Sequence, residues 1–131
     1  MHAKCLAGIR VLLVDDDEYV REALSEYFFD CGAVVVNASS ARMALDAFMQ
    51  APPDVVVSDI RMPGEDGFWL IAAIRALAPA DGGDVPAVAV TGDIIAATRA
   101  MAVGFQAVHV KPPCLEELAA LVERLAGCCK A

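Results

Sequence analysis

Short apolar runs alternate with helical stretches along almost the whole chain. Val11-Leu12-Leu13-Val14, Val34-Val35-Val36, Val55-Val56-Val57, Ala87-Val88-Ala89-Val90 and Val108-His109-Val110 have the length and β-branched content of strands. Between them, apolar residues recur at three- and four-residue spacing, as in helices that bury one face. The pattern predicts strands over about Arg10–Asp15, Ala33–Asn37, Val55–Asp59, Ala87–Thr91 and Ala107–Val110. It predicts helices over about Glu18–Cys31, Ser40–Gln50, Gly67–Ala78, Asp93–Val103 and Cys114–Ala126. The punctuation agrees. Asp17 and Ser39 or Ser40 can cap helices, Cys31-Gly32 and Gly104 can end them, and Pro52-Pro53 stops the second.

Five strand–helix units in series predict an α/β fold with a parallel sheet, because right-handed crossovers place each helix on a sheet face. Near-continuous apolar strands mean that both faces are covered. The expected architecture is a doubly wound, flavodoxin-like sheet of order 2-1-3-4-5, with the first and third strands flanking the point where the winding reverses. Ligands bind outside the carboxyl ends of the strands at that point.

Composition narrows the class. A length of 131 residues suits one domain, with its core over about residues 9–126 and no output domain, linker or tail in view. No apolar run approaches the roughly 20 residues of a membrane span, and Met1 to Leu6 makes a poor signal peptide, so the chain reads as cytoplasmic with no membrane partner. The net charge of −8 and the isolated basic residues argue against direct nucleic-acid binding. The five cysteines, Cys5, Cys31, Cys114, Cys128 and Cys129, are odd in number and lack zinc or framework spacing, so they read as reduced thiols without a role. His2 reads as part of a disordered terminus, which leaves His109, a strand-edge residue, with no second histidine available to share a metal.

The chemistry gathers at the strand ends. The first strand runs into Asp15-Asp16-Asp17, the third into Asp59, the fourth into Thr91-Gly92 and the fifth into Lys111-Pro112. Bare, Asp15, Asp16 and Asp59 would repel one another. A hard divalent cation such as Mg²⁺ takes oxygen ligands and binds through one or two carboxylates plus phosphate oxygens. A carboxylate can also act as a nucleophile and carry a covalent phosphate. Phosphoryl transfer needs the charge on the transferred oxygens neutralised. Lys111 is a compact cation for that purpose, Thr91 offers a hydroxyl donor, and backbone N–H groups near Gly92 add to it.

In this set the chain resembles the receiver domains of two-component response regulators. The resemblance rests on Asp15-Asp16, on Asp59-Ile60-Arg61-Met62-Pro63-Gly64-Glu65-Asp66-Gly67, on Thr91-Gly92 and on Lys111-Pro112. It implies that Asp59 accepts phosphate from a phosphohistidine on a histidine kinase or histidine phosphotransfer domain. It implies that Asp16, Asp59 and the backbone carbonyl of Arg61 bind Mg²⁺ directly, that Asp15 acts mainly through a water, and that Mn²⁺ can substitute. Thr91 and Lys111 would contact the phosphoryl oxygens. Met62, Pro63 and Gly67 would shape the loop after Asp59, and Lys111-Pro112 would be a cis peptide. The resemblance further implies a bacterial signalling protein that acts on a downstream partner the sequence does not name. It would be a stand-alone regulator or the receiver segment of a hybrid kinase, and not an enzyme beyond self-catalysed phosphotransfer and autodephosphorylation.

Two positions depart from the family pattern. Val108 stands where an aromatic residue is common, and the stretch from Thr91 to Lys111 is about two residues short, the gap falling after Asp93. Both lie on the usual output face, so a small response is expected there. Three other readings compete. A phosphatase of the haloacid dehalogenase type would want Thr or Val where Tyr19 stands, and a cap segment. A flavin-binding module would want a Ser/Thr/Gly-rich loop in place of Asp15-Asp16-Asp17. A phosphorylation-independent interaction domain would have no use for the joint acid, hydroxyl and ammonium set.

Overall fold

The computed structural model describes residues 5–130, and side chains through residue 127. The readings of His2 and of the Cys128 and Cys129 thiols lie outside the described residues. Five strands, β1 (Arg10–Val14), β2 (Val34–Ala38), β3 (Val55–Asp59), β4 (Ala87–Thr91) and β5 (Ala107–Val110), alternate with five helices. These are α1 (Glu18–Asp30), α2 (Ala41–Gln50), α3 (Gly67–Arg75), α4 (Ile94–Val103) and α5 (Leu115–Lys130). All pairings are parallel and the sheet order is β2-β1-β3-β4-β5. This is the doubly wound order that the strand–helix alternation predicts.

Strand alternation divides the core into two apolar layers. Leu12, Val14, Val56, Ala87 and Ala89 face α2, α3 and α4, where they meet Phe48, Leu70, Ile71, Ile74 and Phe105. Val11, Leu13, Val55, Val57, Val88 and Val90 face α1 and α5, where they meet Leu24, Phe28, Leu118 and Val122. Every residue of β3 and β4 is buried. No helix among the described residues is long and apolar enough to cross a membrane.

Most boundary differences have local causes. β1 ends at Val14 rather than Asp15, although the Asp15 N–H still donates to the Ala38 carbonyl at 3.2 Å. α1 ends at Asp30 because Cys31 is its cap: Gly32, at φ 98°, donates to the Phe29 carbonyl and Ala33 to that of Phe28. That double bond is a Schellman turn. It uses the Ala33 N–H, so β2 starts at Val34. Ser40 and Asp93 stand just outside α2 and α4 as their N-caps. α3 stops at Arg75, not Ala78, because Pro79 disfavours helical geometry in the residue before it. Ala78 is extended at ψ 151° and a single 3-10 turn, Pro79–Asp81, follows. α5 continues past Ala126 to Lys130, since Gly127 costs a helix only about 1 kcal/mol and does not forbid it.

One side chain ties the edge of the fold opposite the acidic loops. Arg75 donates to the carbonyls of Gly104 (3.0 Å), Gly83 (2.9 Å) and Val85 (2.8 Å) and to Gln106 Oε1 (2.8 Å). Gln106 Oε1 also accepts the Ala87 N–H that opens β4. Burial lowers the Arg75 pKa, with the nearby Asp84 charge opposing.

Candidate functional site

The carboxyl ends of β1 and β3 deliver three acids to one place. One oxygen each from Asp15, Asp16 and Asp59 lies within 4.8 Å of the others. Strand pairing sets this up: Val14 is in register with Ser58, so the residues after them emerge side by side. Among the described residues no other group of three possible metal ligands comes together.

The three acids differ in surroundings. Asp15 is buried, its Oδ1 accepts the Asp17 N–H at 2.9 Å, and its carbonyl accepts from Arg21 Nη1 at 2.8 Å. Asp16 is exposed. Asp59 is nearly buried, and its Oδ1 accepts the Ile60 N–H at 2.7 Å. Asp17 caps α1 by accepting from the N–H groups of Tyr19 and Val20.

Lys111 reaches the same point from the end of β5. Its ammonium lies 3.1 Å from Asp59 Oδ2 and 3.3 Å from Asp15 Oδ2. Burial acts to lower the Lys111 pKa, but the hydrogen bond and charge of Asp59, then those of Asp15, outweigh it and leave the pKa raised. The Asp15 pKa is also raised, by burial first. The Asp59 charge adds to that shift, while the Asp17 N–H and Lys111 oppose it. The site therefore holds more carboxylate charge than one ammonium offsets, and the donor set is all oxygen. Those features fit a hard divalent cation.

The fourth strand end closes the rim. Thr91 is buried, and its Oγ1 accepts the Asp93 N–H at 3.1 Å. Gly92 is exposed, and a Cβ built on it would lie 3.8 Å from Lys111 Cβ, so the two loops touch. Asp93 caps α4 through the N–H groups of Ile95 and Ala96, so only Gly92 and Asp93 separate β4 from α4.

Two features of this rim escape a reading by sequence. Arg61, singled out there only for its carbonyl, turns its side chain to Asp93, with Nε 2.7 Å from Oδ2. That salt bridge spans the β3–α3 and β4–α4 loops. The Ala96 N–H first, and then Arg61, hold the Asp93 pKa low. His109 is likewise not a bare edge residue: its Nε2 accepts the Cys114 N–H at 3.0 Å and so caps the entry to α5. Asp93 at the expected start of a helix was the one visible signal for the first; nothing local signals the second.

The loop after Asp59 is set by close packing. Met62 is buried in the layer under α2–α4, Pro63 is exposed, and Gly64 has φ 75°. The Gly67 N–H donates to the Ile60 carbonyl at 2.8 Å. A Cβ on Gly67 would run into the Asp59 carbonyl oxygen and come within 2.8 Å of Ile60 Cα. The Lys111-Pro112 bond is cis. Val108 is half-buried and packs on the α4 side, while Ala107 packs on the α5 side.

Comparison with known proteins agrees with this geometry. The family model described as response regulator receiver domain matches residues 11–123. An uncharacterised 14.6 kDa protein of Leptolyngbya boryana is 38 % identical over 124 residues, covering 91 % of each chain. The C4-dicarboxylate transport transcriptional regulatory protein DctD of Pseudomonas aeruginosa is 41 % identical over 97 residues, covering 72 % of this chain. That match spans only 20 % of DctD. Among solved structures, the chemotaxis protein CheY4 of Vibrio cholerae superposes with a TM-score of 0.82 at 30 % identity, covering 91 % of this chain and 99 % of that one.

Proposed function

This chain belongs to the response regulator receiver domain family of two-component signalling, and on that premise we propose that it takes up a phosphoryl group on Asp59. The observation that carries the reading is a nearly buried carboxylate held at a strand end between two further acids and one ammonium. The donor is a phosphohistidine of a histidine kinase or histidine phosphotransfer domain. An oxygen of Asp59 bonds to phosphorus as the phosphorus–nitrogen bond breaks, and the electron pair stays on the imidazole, which takes up a proton.

Asp15, Asp16, Asp59 and the Arg61 carbonyl are the groups that would hold Mg²⁺ or Mn²⁺. Bound there, the cation would neutralise carboxylate and phosphoryl charge together. Asp16, exposed, would be a direct ligand together with Asp59 and the Arg61 carbonyl. Asp15 has Oδ1 and Oδ2 already engaged by the Asp17 N–H and Lys111, which suits contact through water. Lys111 orients Asp59 before the reaction and contacts a phosphoryl oxygen after it. The Thr91 hydroxyl accepts the Asp93 N–H through its oxygen and keeps its own proton for a phosphoryl oxygen. The uptake of phosphate from a small phosphodonor, lost in Asp59→Asn, tests the reading.

The product is a signal rather than a released compound. A phosphoryl group adds about −1.5 to −2 charges, read by an acceptor protein through contact with this domain. The net charge of −8 argues against nucleic acid as that acceptor.

A further inference from the structure

At the opposite end of the sheet from the acidic rim, two cysteines lie on segments that are bonded side by side. Cys31 caps α1 and is fully buried; Cys5 lies in the turn before β1 and is half-buried. The turn is zipped to the end of α1 by the Leu6 N–H, which donates to the Cys31 carbonyl at 2.9 Å, and by the Gly8 N–H, which donates to the Gly32 carbonyl at 3.3 Å. Gly32 leaves room for this approach, since a Cβ there would lie 3.0 Å from Ala7 Cα. Both side chains belong to the same apolar layer, Cys31 in it and Cys5 packed against it. Among the described residues no third ligand-bearing side chain joins them.

We propose that Cys5 and Cys31 are a redox pair, converted by a low-molecular-weight disulfide into an intramolecular disulfide that staples the N-terminal turn to the end of α1. Their unequal exposure sets the order of steps. The Cys5 thiolate attacks one sulfur of the oxidant, whose S–S bond breaks, and one small thiolate leaves. The Cys31 thiol then gives its proton to water, and its thiolate attacks Cys5 Sγ and displaces the second small thiol. Two protein thiols are oxidised and one small disulfide is reduced to two thiols. Burial first, and the neighbouring Cys5 next, push the Cys31 thiol up to about 11, so the closing step quickens as pH rises. The bond would close a loop over β1 and α1, restrict the unfolded chain and leave the acidic rim untouched.

The test uses the full chain carrying Cys114→Ser, Cys128→Ser and Cys129→Ser. The folded protein is incubated with oxidised glutathione and its peptides are mapped without reduction. The expected product is a Cys5–Cys31 cross-linked peptide that dithiothreitol removes, formed faster by folded than by urea-unfolded protein. Adding Cys31→Ser should leave a lasting glutathione adduct on Cys5. If that variant does not fold, Cys5→Ser is used instead, and Cys31 should then resist modification in the folded protein. A Cys5 adduct that persists with Cys31 present, equal cross-linking in the unfolded chain, or ready modification of Cys31 in folded Cys5→Ser would each overturn the proposal.

Discussion

Lys111 Nζ lies 3.1 Å from Asp59 Oδ2, so an ammonium at the end of one edge strand meets a carboxylate at the end of the central one. β4 lies between them, which makes the contact a product of sheet order and not of local sequence. It also leaves Lys111 balancing charge that a cation would otherwise balance.

Replacing Lys111 with Met should therefore destabilise the metal-free protein. The loss at neutral pH is ~1.5–3 kcal/mol, the range for hydrogen bonds to charged groups. Because the folded state raises the Lys111 pKa above 10.5, its contribution is present in full below pH 10.5 and is lost as pH climbs through the folded value. The variant should lack that alkaline decline. Mg²⁺ should narrow the gap to wild type by screening the same acids. Urea titrations with and without Mg²⁺, at neutral pH and above pH 10.5, measure all three effects. A gap unaffected by Mg²⁺ would mean that ammonium and cation serve different groups.

Asp16→Asn should weaken Mg²⁺ binding more than Asp15→Asn. Asp16 is exposed and turned to the shared oxygen cluster, whereas both oxygens of Asp15 already have protein partners. A direct ligand contributes more than one acting through water. Isothermal titration of both variants with Mg²⁺ decides the matter, and equal affinities would reverse the division of roles.

Gly67→Ala should cost ~1–3 kcal/mol, the usual penalty for overpacking. The added carbon meets backbone, at the Asp59 carbonyl and Ile60 Cα, and neither can swing aside. Because the strain bears on Asp59 itself, Mg²⁺ affinity should fall along with the unfolding midpoint. A variant with wild-type stability and affinity would show that the loop yields at no expense.

The face made by α4, β5 and α5 should respond little to phosphorylation. Val108 is β-branched with few side-chain states, and it has no ring to move between pockets. The two-residue link from β4 to α4 and the Arg61–Asp93 salt bridge hold the helix start close to the rim. Sedimentation with and without a phosphoryl mimic should show no strong shift from monomer to dimer. Such a shift, removed by changing the exposed Ile94 and Ile95 of α4, would contradict this.

Strands were more legible in the sequence than contacts between loops. β3, β4 and β5 match the expected limits because their apolar runs end abruptly in Asp59, Thr91 and Lys111. The order of the sheet and the convergence of Asp15, Asp16 and Asp59 followed from strand–helix alternation, a repeated and therefore redundant signal. The end of α3 was less legible, because apolar periodicity continues through Leu77 and only the stereochemistry of Pro79 opposes it. Arg61–Asp93, Cys5–Cys31 and the four acceptors of Arg75 were not legible at all. Each joins separate segments of the chain, and the fold alone decides which partner a side chain meets.

The central claim is that Asp59 carries the phosphoryl group. Intact-mass measurement after incubation with acetyl phosphate and Mg²⁺ tests it most directly. The wild type should gain one phosphoryl unit, none when the cation is chelated, and Asp59→Asn should gain none under any condition. Undiminished labelling of Asp59→Asn would contradict the account.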